Sequence, residues 1–388
     1  MDFDLTSEEA AIVETASRYA TDRLSANVEA LDRGEGRAEF LTGLKGLAEL
    51  GYMGLNVSSD YGGSEAGATA CALAIQEVAK TCASTAVTMS VTNLVGEVIQ
   101  AIGSKEQKEN YLPKLADGTF AAGSFCLTES GAGSDPAAMK TKAERHGNGW
   151  LLNGSKLYIT SGEYAGVLVV WAVTDPDAPK GRGVSLFLVD PDTPGITIGK
   201  AESKMGQSGS ATNEIVFQDC KIPASAMLGE ENQGFKIAMK ELTGGRINVA
   251  GLALGIAQAA MATAVAFVRE REQFGVKVAD FQGIQWMIAD TYTELEAGKL
   301  LTLQAAQLKQ EGRPYAKAAS MAKLFSTEAA NRACYTALQL MGGAGYIRDN
   351  PLERYARDVR ITTIYEGTSE VQRVIIAREL MKEMEALA

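Results

Sequence analysis

The 388-residue sequence predicts an α+β protein with an N-terminal helical domain, a central antiparallel β-sandwich or barrel, and a C-terminal bundle of the four-helix type. Three observations predict this order. Helix-forming segments dominate residues 1–120, short strands separated by Gly, Asp and Pro dominate 121–230, and long helical runs fill 231–388. Because the strands follow one another without intervening helices, we expect antiparallel pairing and no parallel sheet.

The N-terminal domain opens with a helix-start signal. Thr6-Ser7-Glu8-Glu9 places acidic residues in a first helical turn, where the helix dipole favours them. Helices are expected over 66–80 and 87–102, and Pro113 together with Asp117-Gly118 predicts the end of the helical domain. Residues 1–4 are acidic and lack the apolar run of a signal peptide.

The central domain reads as a series of short strands. Residues 150–160 are expected to form a hairpin around Asn153-Gly154, a dipeptide typical of two-residue turns. Further strands are predicted over 167–173, 184–189, 196–198 and 214–217.

The C-terminal domain is predicted to contain long helices over 235–271, 281–310 and 316–341. The first includes a charge-free stretch, 247–267, which is long enough to span a membrane. Its many Ala and Gly residues favour a buried helix, with close packing at Gly251 and Gly255. In the second helix an apolar stripe at helical spacing predicts a core face, formed by Ile284, Met287, Ile288, Tyr292 and Leu295.

Composition excludes several functions. The net charge of −11 disfavours sequence-independent nucleic-acid binding, which needs excess Lys and Arg. A single histidine, His146, lies in a predicted exposed turn and excludes zinc sites with two or three histidines from one chain. Five widely spaced cysteines without a Cys-x-x-Cys pair indicate a reducing compartment, and no metal site is predicted. Acid–base chemistry is therefore expected from a carboxylate, Lys, Tyr or Cys.

Five polar segments could bind a ligand, although each alone also fits an ordinary turn, strand or helix end. Small residues let the backbone approach a ligand closely, and Arg271 could hold a phosphate through two hydrogen bonds. No Gly-x-Gly-x-x-Gly or phosphate-loop motif is present. The five segments are 125–135, 156–162, 269–275 with Phe281-Gln282, 339–346, and 357–370.

Two of these segments carry a family resemblance. With Thr128-Glu129-Ser130-Gly131-Ala132-Gly133-Ser134-Asp135 and Ile364-Tyr365-Glu366-Gly367-Thr368-Ser369-Glu370-Val371-Gln372-Arg373 in this order, the chain resembles the acyl-CoA dehydrogenase family of flavoproteins. The resemblance extends over essentially the whole chain, and the sequence is most similar to the short-chain (butyryl-type) branch.

The resemblance implies an FAD cofactor and an acyl-CoA substrate. Acyl-CoA would contact Ser134, Thr243, Arg246 and Gly367. FAD would contact Phe125, Leu127, Thr128, Gly133, Ser134, Tyr158, Ile159, Thr160, Arg271, Phe274, Phe281, Gln282, Thr368, Ser369 and Glu370, with Gln339, Leu340, Gly342 and Gly343 reaching it from a neighbouring subunit.

Glu366 is the candidate catalytic residue. Its apolar neighbours Ile364 and Tyr365 can desolvate the carboxylate and raise its pKa. The resemblance implies that Glu366 takes the α-proton of the thioester while a hydride leaves the β-carbon for flavin N5, giving a trans-2-enoyl-CoA. Electrons would pass to an electron-transfer flavoprotein. Isovaleryl-type relatives place the base immediately before the arginine matching Arg246, where this chain has Gly245, so only Glu366 fits that scheme.

Other hypotheses about the function stay open. The same scaffold could serve an acyl-CoA oxidase or a desulfinase, although the intact Glu366 argues against the desulfinase. A non-catalytic CoA- or flavin-binding helical scaffold is the alternative from another class. The resemblance also implies a homotetramer, built as a dimer of dimers, in the bacterial cytoplasm or, for a processed eukaryotic protein, the mitochondrial matrix.

Overall fold

The computed structural model describes residues 5–387. The acidic segment 1–4, which was expected not to be a signal region, lies outside them. The N-terminal part is helical, as predicted. Its helices are α1 (Ser7–Tyr19), α2 (Val28–Asp32), α3 (Arg37–Glu49), α4 (Gly67–Thr81), α5 (Ala83–Ile102) and α6 (Lys105–Ala116).

The ends of these helices follow local chemistry. The Thr6 hydroxyl accepts a hydrogen bond from the Glu9 amide at 3.1 Å, and the Glu9 carboxylate accepts from the Thr6 amide at 2.9 Å, which starts α1 as predicted. Pro113 does not end the helical domain: it lies inside α6, where only one intrahelical hydrogen bond is lost. The helix ends at Ala116, Asp117 is its C-cap, and Gly118 follows with φ +76°.

The central domain is a seven-stranded sheet in the order β1-β4-β2-β3-β7-β6, with β5 paired to β4. Most neighbours are antiparallel, but β1 and β2 each run parallel to β4. The antiparallel prediction did not include these two pairs. The strands are β1 (Ala122–Cys126), β2 (Lys142–His146), β3 (Gly149–Thr160), β4 (Ala165–Val173), β5 (Val184–Val189), β6 (Ile196–Ile198) and β7 (Thr212–Pro223).

The hairpin predicted at Asn153-Gly154 is wrong. These residues lie within the continuous strand β3, where the pairing with β7 shifts register between Leu152 and Gly154. The chain reverses earlier, after the exposed His146, through Gly147 at φ +56°. Pairing along the whole of β3 and β7 overrides the local turn preference of Asn-Gly.

The C-terminal domain is a helical bundle with a small hairpin. Its three long helices α7, α8 and α9 have bounds close to those predicted. The elements are α7 (Gly234–Glu270), β8 (Glu272–Gln273), β9 (Val276–Lys277), α8 (Gln282–Gln310), α9 (Ala316–Met341), α10 (Gly343–Tyr346), α11 (Leu352–Arg360) and α12 (Ser369–Leu387).

Helix α7 is the central helix of the molecule and packs against α4, α5, α8 and α9. A Cβ on Gly251 would lie 2.5 Å from the Ala72 carbonyl oxygen, and one on Gly255 would lie 2.1 Å from that of Gln76, so the predicted close approach is confirmed. This helix is long and apolar enough to cross a membrane, and 61% of its most apolar window is buried.

The apolar stripe of α8 is only partly in the core. Leu295 is 2% exposed, and Ile284, Met287 and Ile288 are partly buried against the core. Tyr292 was expected in the core, but it is 43% exposed, because it lies on the side of α8 that faces solvent.

Candidate active site

Glu366 lies in the short connection between α11 and α12. Its backbone is left-handed, with φ +56°, and Gly367 follows with φ +90°. A non-glycine residue adopts this conformation at a cost, and it persists only where surrounding contacts impose it. The carboxylate faces helix α7, where a Cβ on Gly245 would lie 3.0 Å from Glu366 Oε2. This Oε2 is buried and has no hydrogen-bond partner in residues 5–387.

The surroundings of Glu366 set its protonation. Burial raises the pKa of its carboxyl to about 7, while the positive charges of Arg246 and Lys323 act in the opposite direction. A group with this pKa can take up and release a proton near neutral pH, which is what a general base requires.

Arg246 supplies the nearby positive charge from helix α7. Its side chain is 5% exposed, and one guanidinium nitrogen, Nη1, donates to the Thr243 hydroxyl at 3.3 Å. Its Nε is buried without a partner among the described residues. The Thr243 hydroxyl in turn donates to the Met239 carbonyl at 2.8 Å. The predicted residues Thr243, Arg246 and Glu366 therefore come together, and one buried donor stays available for a ligand.

The backbone carbonyls of Glu366 and Gly367 accept hydrogen bonds from neighbouring side chains. The side-chain amide of Gln372 donates to the carbonyls of Glu366 at 3.2 Å and Gly367 at 2.9 Å. Lys323 also donates to the Gly367 carbonyl, at 2.8 Å. The Glu366 amide N–H, by contrast, donates to no acceptor within residues 5–387. It is available to a substrate carbonyl oxygen, as in an oxyanion hole.

The first signature segment lies beside the end of β3. The Leu157 amide donates to the Thr128 carbonyl at 2.8 Å. Lys156, fully buried, donates to the Leu127 carbonyl at 3.2 Å and to Glu129 Oε1 at 2.7 Å. These contacts bring together the two segments that were expected to line a flavin.

The side chains of these two segments differ in exposure. Leu127 and Ile159 are 6% and 1% exposed and belong to apolar cores, so only their backbone can face a ligand. Tyr158 is 64% exposed and left-handed, with φ +59°, at a register shift of β3. The half-buried residues are Phe125, Thr128 and Thr160, and the exposed ones are Gly133 and Ser134.

A third group of predicted residues lies on the outside of the bundle. Phe274, between β8 and β9, is 95% exposed, and its ring is 6.3 Å from that of Phe281. Exposed aromatic rings of this kind are available to a ligand or a neighbouring chain. At the end of α9, Leu340 is buried in the core, so its side chain cannot reach across to a neighbour. The exposed members of the group are Arg271, Phe274, Phe281, Gln282, Gln339, Gly342 and Gly343.

Sequence reasoning missed the link between the β6–β7 loop of the central domain and the segment that contains Glu366. The Gln207 amide donates to the Asp358 carboxylate, and its side chain donates to the Asp358 carbonyl at 3.0 Å and the Tyr365 hydroxyl at 3.4 Å. Burial raises the pKa of Asp358 to about 6. The only sequence signal was the position of Asp358 inside the fifth segment.

The structure also fits a flavin cofactor. The hydroxyls of Ser161 and Ser369 are buried and have no partner among the described residues. Buried hydroxyls without partners are uncommon in proteins, and a bound polar ligand would satisfy them. Ser369 begins α12, next to the exposed Glu370, while the Thr368 hydroxyl accepts from the Val371 amide at 3.3 Å.

Family models match nearly the whole chain. The N-terminal, middle and C-terminal domains of acyl-CoA dehydrogenase match residues 6–119, 124–220 and 232–381. The chain belongs to the acyl-CoA dehydrogenase family. Members of this family are flavin-dependent oxidoreductases that use FAD.

Three similar proteins cover almost the full chain. Acryloyl-CoA reductase (NADH) of Anaerotignum propionicum is 45% identical over 98% of this chain and 96% of its own. Butyryl-CoA dehydrogenase of Megasphaera elsdenii is 40% identical, with a TM-score of 0.94 over 98% of this chain and all of that one. A chain in the structure of an electron transferring flavoprotein of Acidaminococcus fermentans is 41% identical, with a TM-score of 0.95 over 98% and 99%. The acyl-CoA dehydrogenase fold is thus shared along the whole length.

Proposed function

We propose that the chain removes two hydrogens from a short-chain acyl-CoA to give a trans-2-enoyl-CoA, with Glu366 as the base. The observation that carries this proposal is the Glu366 carboxyl, whose pKa is raised to about 7 and whose Oε2 is buried without a partner. Such a reaction belongs to fatty acid β-oxidation, which fits the short-chain relatives.

Each protein group has a defined part in this reaction. A Glu366 oxygen forms a bond to the α-proton as the α-C–H bond breaks. The Glu366 amide N–H is free to donate to the thioester carbonyl, which makes the α-proton more acidic. Arg246 holds positive charge near the carboxylate, and its unpartnered Nε can donate to the CoA thioester region. Ser134, Thr243 and Gly367 complete the proposed substrate contacts.

FAD is the group that these residues fit. When bound, it accepts the hydride from the β-carbon. We assign its contacts to the paired segments at Thr128 and Tyr158, to the Ser369 end of α12, and to the exposed residues around Arg271 and Phe274. The unpartnered Ser161 and Ser369 hydroxyls support this assignment.

The proposed assembly is a homotetramer that passes electrons to an electron-transfer flavoprotein. Gly342 and Gly343 are exposed at the end of α9, where a second copy of the chain can approach them. The similar chain in the electron transferring flavoprotein structure supports such a partner. All five cysteines are buried and free, in keeping with the proposed reducing location in a bacterial cytoplasm or mitochondrial matrix.

The reverse reaction is a second candidate. Similarity to an acryloyl-CoA reductase, at 45% identity, favours reduction of a short enoyl-CoA. The same Glu366 would then donate the α-proton, which a carboxyl with a pKa of about 7 can do as readily as it accepts one. The direction would depend on the electron partner.

The proposal is tested with the FAD-loaded protein under anaerobic conditions. Butyryl-CoA should bleach the visible flavin absorbance, and Glu366→Gln should abolish bleaching while FAD stays bound. Acyl-CoAs of graded length and branching then define the substrate. Steady H2O2 production in air would instead indicate an oxidase. A wild-type protein that binds no FAD, or full turnover by Glu366→Gln, would overturn the proposal.

A further inference from the structure

Lys323 is a lysine with no exposed surface, and it lies in the N-terminal half of helix α9. Burying an ammonium group is unfavourable unless the protein supplies partners. Its Nζ donates to the Gly367 carbonyl at 2.8 Å. A fully buried cation is thus directed at the backbone immediately after the proposed catalytic carboxylate.

The segment that Lys323 holds has an unfavourable backbone. Glu366 and Gly367 are both left-handed, and residue 366 carries a side chain. Two donors meet at the Gly367 carbonyl: the Lys323 ammonium from α9 and the Gln372 amide from α12. Together they link the connection to two helices. The Lys323 hydrogen bond is charge-assisted and therefore the stronger of the two.

We propose that Lys323 is a positioning residue for Glu366. Its hydrogen bond fixes the left-handed connection that directs the carboxylate toward Gly245, and its positive charge favours the ionised carboxylate. The inference rests on the proposed function, in which Glu366 is the base.

The charged groups around Lys323 support its two proposed roles, as a hydrogen-bond donor and as a positive charge near Glu366. The groups that act on it are Glu366, Arg246 on α7, Glu328 on α9 and Glu370 on α12. Burial lowers the pKa of Lys323 to about 8, with the Glu366 carboxylate acting in the opposite direction. The ammonium is therefore charged at neutral pH. Arg246 repels this ammonium, and both cations favour the ionised form of Glu366.

The experiment separates the hydrogen bond from the charge. Lys323→Met removes both, Lys323→Gln retains a donor without charge, and Lys323→Arg retains both. Lys317→Met is the matched control, since Lys317 lies on the same helix and pairs at the surface with Glu383. For each variant we would measure FAD content, melting temperature, butyryl-CoA affinity by calorimetry, and kcat and KM across pH.

Lys323→Met is expected to lower kcat by about tenfold to a hundredfold with a smaller change in KM, because the base is misplaced while the CoA contacts stay. The pH midpoint of kcat/KM should move up by about one unit as one favourable charge is lost. Lys323→Gln should show the same shift of the pH midpoint with a smaller loss of kcat. Lys323→Arg should recover part of the wild-type kcat and part of the wild-type midpoint. Lys317→Met should match wild type in both quantities.

The outcomes distinguish this inference from the proposed function. Wild-type protein that turns over no acyl-CoA would overturn the proposed function itself. Active wild type, with folded Lys323→Met and Lys323→Gln that keep its kcat and pH midpoint, would overturn the positioning role alone. Should Lys323→Met fail to fold, Lys323→Gln decides: an unchanged midpoint in that folded variant contradicts the inference. Activity lost only in proportion to FAD content would also contradict it.

Discussion

The Glu366 carboxylate packs so closely against Gly245 that a Cβ at residue 245 would press on it. A Cβ on residue 245 would lie 3.0 Å from Oε2 and 3.2 Å from both Cδ and Oε1 of Glu366. Contacts of 3.0–3.4 Å are tighter than nine in ten real Cβ contacts, so one of the two groups would have to move. Glycine at this position therefore determines where the proposed base can point.

Gly245→Ala is expected to reduce kcat with the fold retained. The added methyl group would displace the carboxylate by a few tenths of an ångström, so the loss should be smaller than the roughly hundredfold that a misplacement of about 1 Å at a reacting group can cause. Helix α7 itself should tolerate alanine, which favours helices more than glycine does. Single-turnover flavin reduction by butyryl-CoA measures the effect.

Gly283→Ala provides the control for this substitution. A Cβ there meets nothing within 4 Å, and the residue also lies in a helix, α8. Its rate of flavin reduction should equal that of wild type. If Gly245→Ala also reduced flavin at the wild-type rate, the contact with Glu366 would not constrain the base.

The pH dependence follows from the raised pKa of Glu366. Burial raises this pKa to about 7, and only the ionised carboxylate can accept the α-proton. Activity should therefore be present above the midpoint and be lost as pH falls through about 7. Below it, kcat/KM should fall about tenfold per pH unit, measured between about pH 5 and 9. A midpoint near the ordinary glutamate value, with butyryl-CoA binding unchanged, would argue against Glu366 as the base.

Much of this architecture could be predicted from the sequence where the signal is local. The long helical run over 316–341 predicted the bounds of α9, and the apolar neighbours of Glu366 indicated a raised pKa. The Asn153-Gly154 hairpin failed because pairing with β7 along the whole of β3 outweighs the preference of two residues for a turn.

The buried lysines could not be predicted. Lys156 and Lys323 look like ordinary surface residues in the sequence, and their partners Glu129 and Gly367 lie 27 and 44 residues away along the chain. Only tertiary packing shows that their ammonium groups are surrounded. The neighbourhood of Gly245 and Glu366 was implied only by the family resemblance, which makes residue 245 the alternative position of the base. The residues themselves gave no sign of this contact, because helix α7 and the segment containing Glu366 meet only in the folded bundle.

Removing the charge of Arg246 should move the pH profile. Burial raises the pKa of Glu366, and the charges of Arg246 and Lys323 lower it. In Arg246→Gln only Lys323 still opposes the effect of burial. The midpoint of kcat/KM is expected to rise by about one unit, because the loss of a nearby opposite charge disfavours the ionised carboxylate. The titration is followed in the same pre-steady-state experiment.

Arg332→Gln is the control for this charge removal. Arg332 forms an exposed pair with Glu294, at 3.1 Å through two nitrogens, and should leave the midpoint unchanged. The role given to Arg246 would be contradicted by a midpoint that stays at the wild-type value in a folded, FAD-containing Arg246→Gln protein.

The buried pair between Lys156 and Glu129 should be essential for stability and for holding FAD. Glu129 Oε1 accepts from Lys156 at 2.7 Å, and the same carboxylate accepts from the Lys140 and Thr141 amides at 2.6 and 3.0 Å. In Glu129→Gln the ammonium, which has no exposed surface, loses its counter-charge. Breaking a buried pair in this way costs about 3–5 kcal/mol. Because the pair joins the two segments assigned to FAD, the cofactor should also dissociate more readily. Melting temperatures with and without excess FAD measure both effects.

Glu294→Gln is the control for this prediction. It breaks the exposed pair with Arg332 and should cost no more than about 1 kcal/mol. Equal shifts in the two variants would mean that Lys156 finds another partner and that the pair does not hold the flavin segments together.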